Sequence, residues 1–316
     1  MTAGAVKARA RELGFDLCGI ARADSYPELA FYSTWIASGM AASMHYLERT
    51  AEQRADVRHV MPSTRSVIVL GTNYHTDRPY STESQDARRA LVARYAWGDD
   101  YHDVIAARLA QLVSWMRAQT PTAFEARAYV DTGPVQERVY AQYAGLGWIG
   151  KNTCLINLEQ GSWLFLAEVL CSLDLEPDEP EYDHCGTCTE CLKACPTGAL
   201  VEPGVLDANR CLSYWTIEHR GPLPEPWQRA IGAHIYGCDI CQEVCPWNVA
   251  PPLASDPAWQ PRPVFDRVAL ATLSDLPDDT LRHALKGSPM RRAKLEGLRR
   301  NIAAAMRNSP PESDDA

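Results

Sequence analysis

The sequence predicts an α+β fold followed by a cysteine-rich module and a short helical C-terminus, and three observations carry that expectation. Over residues 1–173, runs rich in β-branched residues alternate with stretches whose apolar residues recur at helical spacing. Eight of the eleven cysteines then crowd between Cys185 and Cys245. Beyond a proline-marked connection (Pro251, Pro252, Pro257, Pro261, Pro263), Leu270 to Asn308 again reads as helix. The expected division is 1–173, 174–250 and 251–316.

Residues 3–13 read as a helix and Asp16 to Ala21 as a short strand, with a mixed helical segment from about Tyr26 to Leu47. Ser66 to Tyr74 (Ser-Val-Ile-Val-Leu-Gly-Thr-Asn-Tyr) reads as a buried strand, and polar Thr76 to Gln85 as a loop. Asp103 to Ala118 places Val104, Leu109, Leu112, Val113 and Met116 at helical spacing. Ala126 to Val130 is a strand entering the turn Asp131-Thr-Gly-Pro134, which launches a helix through Tyr143. A glycine-rich loop, Gly145 to Gly150 with Lys151 and Asn152, leads to a strand from Ser162 to Leu173. Acidic, proline-containing Asp174 to Asp183 is a linker, and the chain from Pro310 onward reads as a disordered tail.

The module opens with Cys185-x2-Cys188-x2-Cys191-x3-Cys195-Pro196 and closes with a shortened copy, Cys238-x2-Cys241-x3-Cys245-Pro246. The first pattern is the run that holds [4Fe–4S] clusters in two-cluster bacterial ferredoxins, where the fourth cysteine reaches over to the other cluster. That rule assigns Cys185, Cys188, Cys191 and Cys245 to one cluster. Cys195, Cys238 and Cys241 take the second, which is one ligand short, and Cys211 is the candidate that fills it. Thiolates three residues apart in a tight loop can meet neighbouring irons while backbone N–H groups point at the sulfurs. Two structural zinc sites are the weaker reading, because zinc usually takes paired C-x2-C knuckles. Disulfides fit less well still, since nothing else in the chain suggests export.

With no apolar run long enough to span a membrane and no export signal, the chain reads as cytoplasmic. Its net charge of −9 weighs against general nucleic-acid binding but is uneven. Asp174 to Asp183 carries six acids and no base, whereas Arg282 to Arg307 carries eight Lys/Arg against Glu296. That basic segment is either a phosphate-binding patch or a solvated helical face.

Outside the cysteines, Asp131 stands at a strand-to-turn junction, as a catalytic carboxylate or a helix cap. Lys151 and Asn152 could approach an anion. Cys18, Cys154 and Cys171 read as core thiols. No histidines pair at zinc-like spacing, and the Asp-x-His-x-x-Gly cobalamin signature is absent at Asp100-Tyr-His102.

Several blocks together carry a family resemblance: Arg54-Ala-Asp with Met61-Pro62, Tyr95-Ala-Trp-Gly with Asp100-Tyr-His102, and Tyr129-Val-Asp-Thr-Gly-Pro134. To these add Gly147-Trp-Ile-Gly-Lys-Asn152, Cys211-Leu-Ser-Tyr-Trp-Thr-Ile-Glu-His219 and Tyr236 to Asn248. The chain resembles the epoxyqueuosine reductases over about residues 5–308. The resemblance implies an α/β-type cobalamin-binding domain with a ferredoxin-like module of two [4Fe–4S] clusters, related to reductive dehalogenases. It implies removal of the epoxide oxygen of epoxyqueuosine at the wobble position of tRNA, with Asp131 as proton donor. Arg54 would lie near the corrin, Ser213 and Asp239 in blocks approaching it, and no protein histidine would ligate cobalt. Gly287 to Lys294 and Arg299 to Asn301 match the boundary before a HEAT-like region that many members carry. Arg291, Arg292 and Lys294 are then tRNA-binding candidates.

On that reading an external one-electron donor reduces the more exposed cluster of a monomer, and the inner cluster serves cobalamin. Asp131 would need a raised pKa, which burial against the corrin would provide. A reductive dehalogenase and a ferredoxin-like carrier without its own substrate remain the rival readings.

Overall fold

In the computed structural model, which describes residues 1–84 and 86–310, the first region is built on a four-stranded antiparallel sheet. Its strands are β1 (Leu17–Arg22), β2 (Ser66–Asn73), β3 (Ala126–Tyr129) and β4 (Leu164–Cys171), in the order β1-β2-β4-β3. Antiparallel pairing throughout makes this region α+β. All eight residues of β2 are buried, as expected of a central strand covered on both faces.

The pleat sorts the side chains. Ile68 and Leu70 join Val169 and Cys171 on one face, beneath α1 (Ala3–Glu12) and α2 (Tyr101–Gln119). Val67, Val69 and Leu170 face the other way, onto α3 (Glu137–Tyr143) and the short helix Val57–Val60. Ser66, Thr72 and Asn73 of β2 are buried but uncharged, whereas Glu168 places an ionisable carboxyl fully buried on β4, opposite Val69.

The expected helix across Tyr26 to Leu47 is instead Pro27–Ala37 and a separate His45–Arg49. Gly39 and Ala42 take left-handed φ values of 71° and 52° between them, which stops the helix. The glycine loop contains a small ladder, Trp148–Ile149 against Leu155–Ile156. There a Cβ on Gly147 would stand 2.1 Å from the Ile156 carbonyl oxygen, so only glycine fits.

The three regions interleave. The short strand Leu91–Val92 leaves the first region to pair in parallel with His234–Tyr236. Ala90, Ala96, Ile235 and Tyr236 then share a core with Leu270, Leu273, Leu298 and Ile302 of the C-terminal helices. Trp259, in the supposed extended connection, packs against Phe165 at a 4.9 Å ring separation and is buried in the first core. Proline punctuation marked extended backbone there but said nothing about where its tryptophan goes. The tail expected over 311–316 lies outside the described residues. No helix among the described residues is long and apolar enough to cross a membrane.

Candidate active site and cluster module

A cavity of about 1960 Å³ opens beside edge strand β3. It runs between α2, the helix Pro27–Ala37, the segment 203–208 and the short helix Pro289–Ala293. Ordinary small-ligand pockets hold about 300–1,000 Å³, so this one suits a macrocycle together with a substrate group.

Asp131 is on its wall, in a left-handed conformation (φ 56°) that is uncommon outside glycine and that aspartate tolerates better than most. Its backbone N–H donates to Glu137 Oε1 at 2.7 Å. Asp131 therefore does not cap α3, whose N-terminus carries no side-chain cap. Its carboxylate is 59% exposed, to the cavity, and accepts from the Tyr101 hydroxyl at 3.0 Å and His102 Nε2 at 3.3 Å. On the far side of the imidazole, Nδ1 meets Asp100 Oδ1 at 2.7 Å.

The expected rise of the Asp131 pKa rests on burial against a corrin; the protein's own groups act the other way. The protein packed around the cavity wall desolvates it and pushes it up, but the His102 hydrogen bond and charge and the Tyr101 hydroxyl outweigh this and hold it below the usual carboxylate value. The raised group is His102. Burial disfavours its charge, yet its two carboxylate partners overcome that and push it up to about 9. At neutral pH the proton of this pair resides on the imidazole.

Arg54 also lines the cavity, with Nε donating to Thr50 Oγ1 at 3.0 Å and Nη1 to the Val135 carbonyl at 2.9 Å. Lys151 reaches the same wall, but its ammonium ties down the cluster loop through the carbonyls of Gly186 (2.6 Å) and Cys188 (2.8 Å). The other three candidates lie against the cluster module. Asn152 is buried and donates to the Cys241 carbonyl at 3.2 Å. Ser213 lies beside the Cys211 thiol. Asp239 is buried among the second set of thiols and accepts from the Arg94 N–H at 2.6 Å. Each lies in or against a cluster loop.

The eight cysteines fall into two neighbourhoods. Cys185 and Cys188 lie close enough to Cys191 to act on its charge, and Cys245 joins Cys185 and Cys191. Cys195 neighbours Cys211, and Cys211 in turn neighbours Cys238 and Cys241. Among the described residues no three His, Cys, Asp or Glu side chains converge as the ligands of a single ion. Four thiolates that each take a separate iron of a cubane need no such convergence. Backbone N–H groups do point at sulfur: that of Ala199 donates to Cys195 Sγ at 3.2 Å. Trp148 Nε1–H donates to Cys185 Sγ at 3.4 Å. Cys154, read as a plain core thiol, is half-buried and lies between the two neighbourhoods.

Residues 54–132 match the family model for epoxyqueuosine reductase QueG, DUF1730, and residues 184–248 match a 4Fe–4S double cluster binding domain. The epoxyqueuosine reductase of Gloeobacter violaceus is 45% identical over 312 residues, covering 96% of each chain. This chain belongs to the epoxyqueuosine reductases. The epoxyqueuosine reductase of Xanthomonas campestris is 40% identical, over 99% of this chain and 88% of its own. A crystal structure of epoxyqueuosine reductase with a tRNA-Tyr epoxyqueuosine-modified stem loop superposes with a TM-score of 0.87 at 30% identity, covering 96% of this chain and 80% of that one. The Bacillus subtilis epoxyqueuosine reductase, solved with its aspartate catalytic loop swung out of the active site, gives 0.86 at 30% identity, covering 96% and 81%.

In this epoxyqueuosine reductase the basic C-terminal segment is partly structural. Arg299 donates to the carbonyls of Leu273 and Ser274, and Arg300 to those of Trp215, His219 and Gly221. Arg292 pairs with Glu218 through two 2.8 Å bonds and, like Arg291, lines the cavity mouth. Lys294 is exposed but is not part of that wall. Charge counting could not separate arginines that cap carbonyls from those that face solvent. Sequence reasoning also passed over Glu137 and Glu168; the one available signal was a charge inside the apolar run Leu164–Cys171.

Proposed function

We propose that this protein removes the epoxide oxygen of epoxyqueuosine at the wobble position of tRNA, leaving queuosine, with cobalamin in the cavity and two [4Fe–4S] clusters beside it. The observation that carries the reading is Asp131, held by His102 and Tyr101 on the wall of a cavity large enough for a corrin and an extruded base. The family's name, and the relative solved with a modified stem loop, support the same substrate.

Bound cobalamin supplies the reductive chemistry that opens the strained ring. Arg54 and Asp131 are the residues that would face it. The protein's own work is positional and protic. As negative charge develops on the leaving oxygen, the proton on His102 Nε2 passes to Asp131 Oδ2 and on to that oxygen, and Asp100 steadies the imidazole from behind. The turn Asp131-Thr132-Gly133-Pro134 is this chain's candidate for a mobile catalytic loop. Arg291 and Arg292 at the mouth would meet phosphates and set the anticodon loop's position without reading its sequence. A base in a single-stranded loop leaves its stack at little cost. Electrons would come from an external one-electron donor, with the protein acting as a cytoplasmic monomer.

The decisive test is anaerobic reconstitution with iron, sulfide and cobalamin, followed by nucleoside analysis of epoxyqueuosine-containing tRNA under a chemical reductant. Queuosine should accumulate; an unchanged nucleoside with both clusters and cobalamin loaded would overturn the reading.

A further inference from the structure

We propose that Glu137 and Glu168 form a buried proton store that resupplies the acid side of the cavity during each reduction, an inference that rests on the function proposed above. Converting an epoxide to a carbon–carbon double bond and water consumes two electrons and two protons. The clusters and cobalamin account for the electrons, and the His102–Asp131 pair holds one proton. Glu137 supplies the second, and Glu168 refills it.

Glu168 occupies the centre of the sheet on the face that meets α3, with no exposed surface. Neither carboxyl oxygen has a partner in ordinary hydrogen-bond geometry, although the Glu137 carboxyl faces it. Leaving an ionised carboxylate so placed is prohibitive, so the group is held as the neutral acid. The charged groups around the pair come from three elements. Asp131 approaches from the turn and Arg138 from α3. Arg54 approaches from Ala51–Ala55, with Nε and Nη1 already committed to Thr50 and Val135. Burial first, then the repulsion of Asp131, pushes Glu137 up to about 7. Burial and Glu137 push Glu168 well above the carboxylate range. Glu137 opens on the cavity next to Asp131 and Glu168 does not, so one releases a proton where the other stores it. Glu168 acts only through Glu137 and is a positioning residue.

Infrared titration of the cofactor-free protein tests the store directly. A protonated carboxyl band should be present at pH 7 and be lost in Glu168→Gln; its absence from the unaltered protein would overturn the proposal. In the reconstituted enzyme, Glu168→Gln and Glu137→Gln should each lower kcat about 10-fold or more above pH 7 while leaving KM for tRNA in place, with Glu137→Asp restoring part of the rate. A kcat unchanged across pH in both Gln variants would also overturn it. If the unaltered enzyme leaves epoxyqueuosine intact, the proposed function fails, while the infrared band still decides whether the store exists.

Discussion

The imidazole Nε2 of His102 lies 3.3 Å from Asp131 Oδ2, and this contact joins the first turn of α2 to the turn that follows β3. It fixes which partner carries the proton at rest. His102 is held up by two carboxylates, and Asp131 is held down by His102. The proton is therefore stored on the imidazole, one hydrogen bond away from Asp131, and a carboxylate rather than a carboxylic acid stands beside it on the cavity wall.

Asp131→Asn keeps the size and the Tyr101 contact but cannot relay a proton. Turnover of epoxyqueuosine tRNA should fall about 100-fold to 10,000-fold, the range usual for losing a general acid. Iron content and cobalamin binding should stay at the level of the unaltered protein. Single-turnover nucleoside analysis reads the first and metal assay the second; full activity would return Asp131 to a backbone role.

The same pair sets an alkaline limit. His102 is raised from an ordinary value of 6.5 to about 9, so its contribution to stability is complete below pH 6.5 and is lost as pH rises through about 9. Asp131, being lowered, contributes above the ordinary carboxylate value and loses that contribution only in acid. The melting temperature of the unaltered protein should therefore fall between pH 6.5 and 9 by more than that of His102→Gln. Parallel curves for the two proteins would show that the imidazole is not charged at neutral pH.

The cluster module was legible because iron–sulfur ligation writes itself into spacing: three thiolates in one tight loop leave few other arrangements. Strand β2 was legible because a strand covered on both faces keeps an unbroken apolar centre, here Val67 to Leu70. The active site was not, because its contacts are tertiary. His102 and Asp131 lie on different elements, and only the approach of α2 to the end of β3 brings them together. Glu168 interrupts an otherwise apolar strand, which sequence alone cannot tell from a partnered or exposed charge, and the absence of any hydrogen-bond partner marks it. The serial division into three regions missed the pairing of Leu91–Val92 with His234–Tyr236, since a two-residue strand carries almost no pattern.

Crosswise ligation gives the module its sharpest test. Cys245 comes from the second cysteine run but neighbours Cys185 and Cys191 of the first. Cys245→Ser should remove one cluster, so iron falls by about half, and the remaining cluster should be the one held by Cys195, Cys211, Cys238 and Cys241. Cys211→Ser should remove the other. The electron paramagnetic resonance spectra of the two reduced variants should be different and should together account for the signals of the unaltered protein. Identical residual spectra would mean that the runs do not exchange their last cysteine.

Arg291 and Arg292 should differ in their effect on tRNA, although they are adjacent. Arg292 is bound bidentately to Glu218 and lies over the Tyr46 ring at 5.4 Å, so part of its charge is already answered by the protein. Arg291 has no carboxylate within ion-pair distance among the described residues and is exposed at the cavity mouth. Arg291→Gln should weaken binding of an anticodon stem loop and reduce the slope of log affinity against log salt by about one. Arg292→Gln should weaken binding less, and should also lower the melting temperature because Glu218 loses its partner. Measuring both affinities across a salt series separates the two effects, and equal salt slopes for Arg291→Gln and the unaltered protein would remove Arg291 from the phosphate contacts.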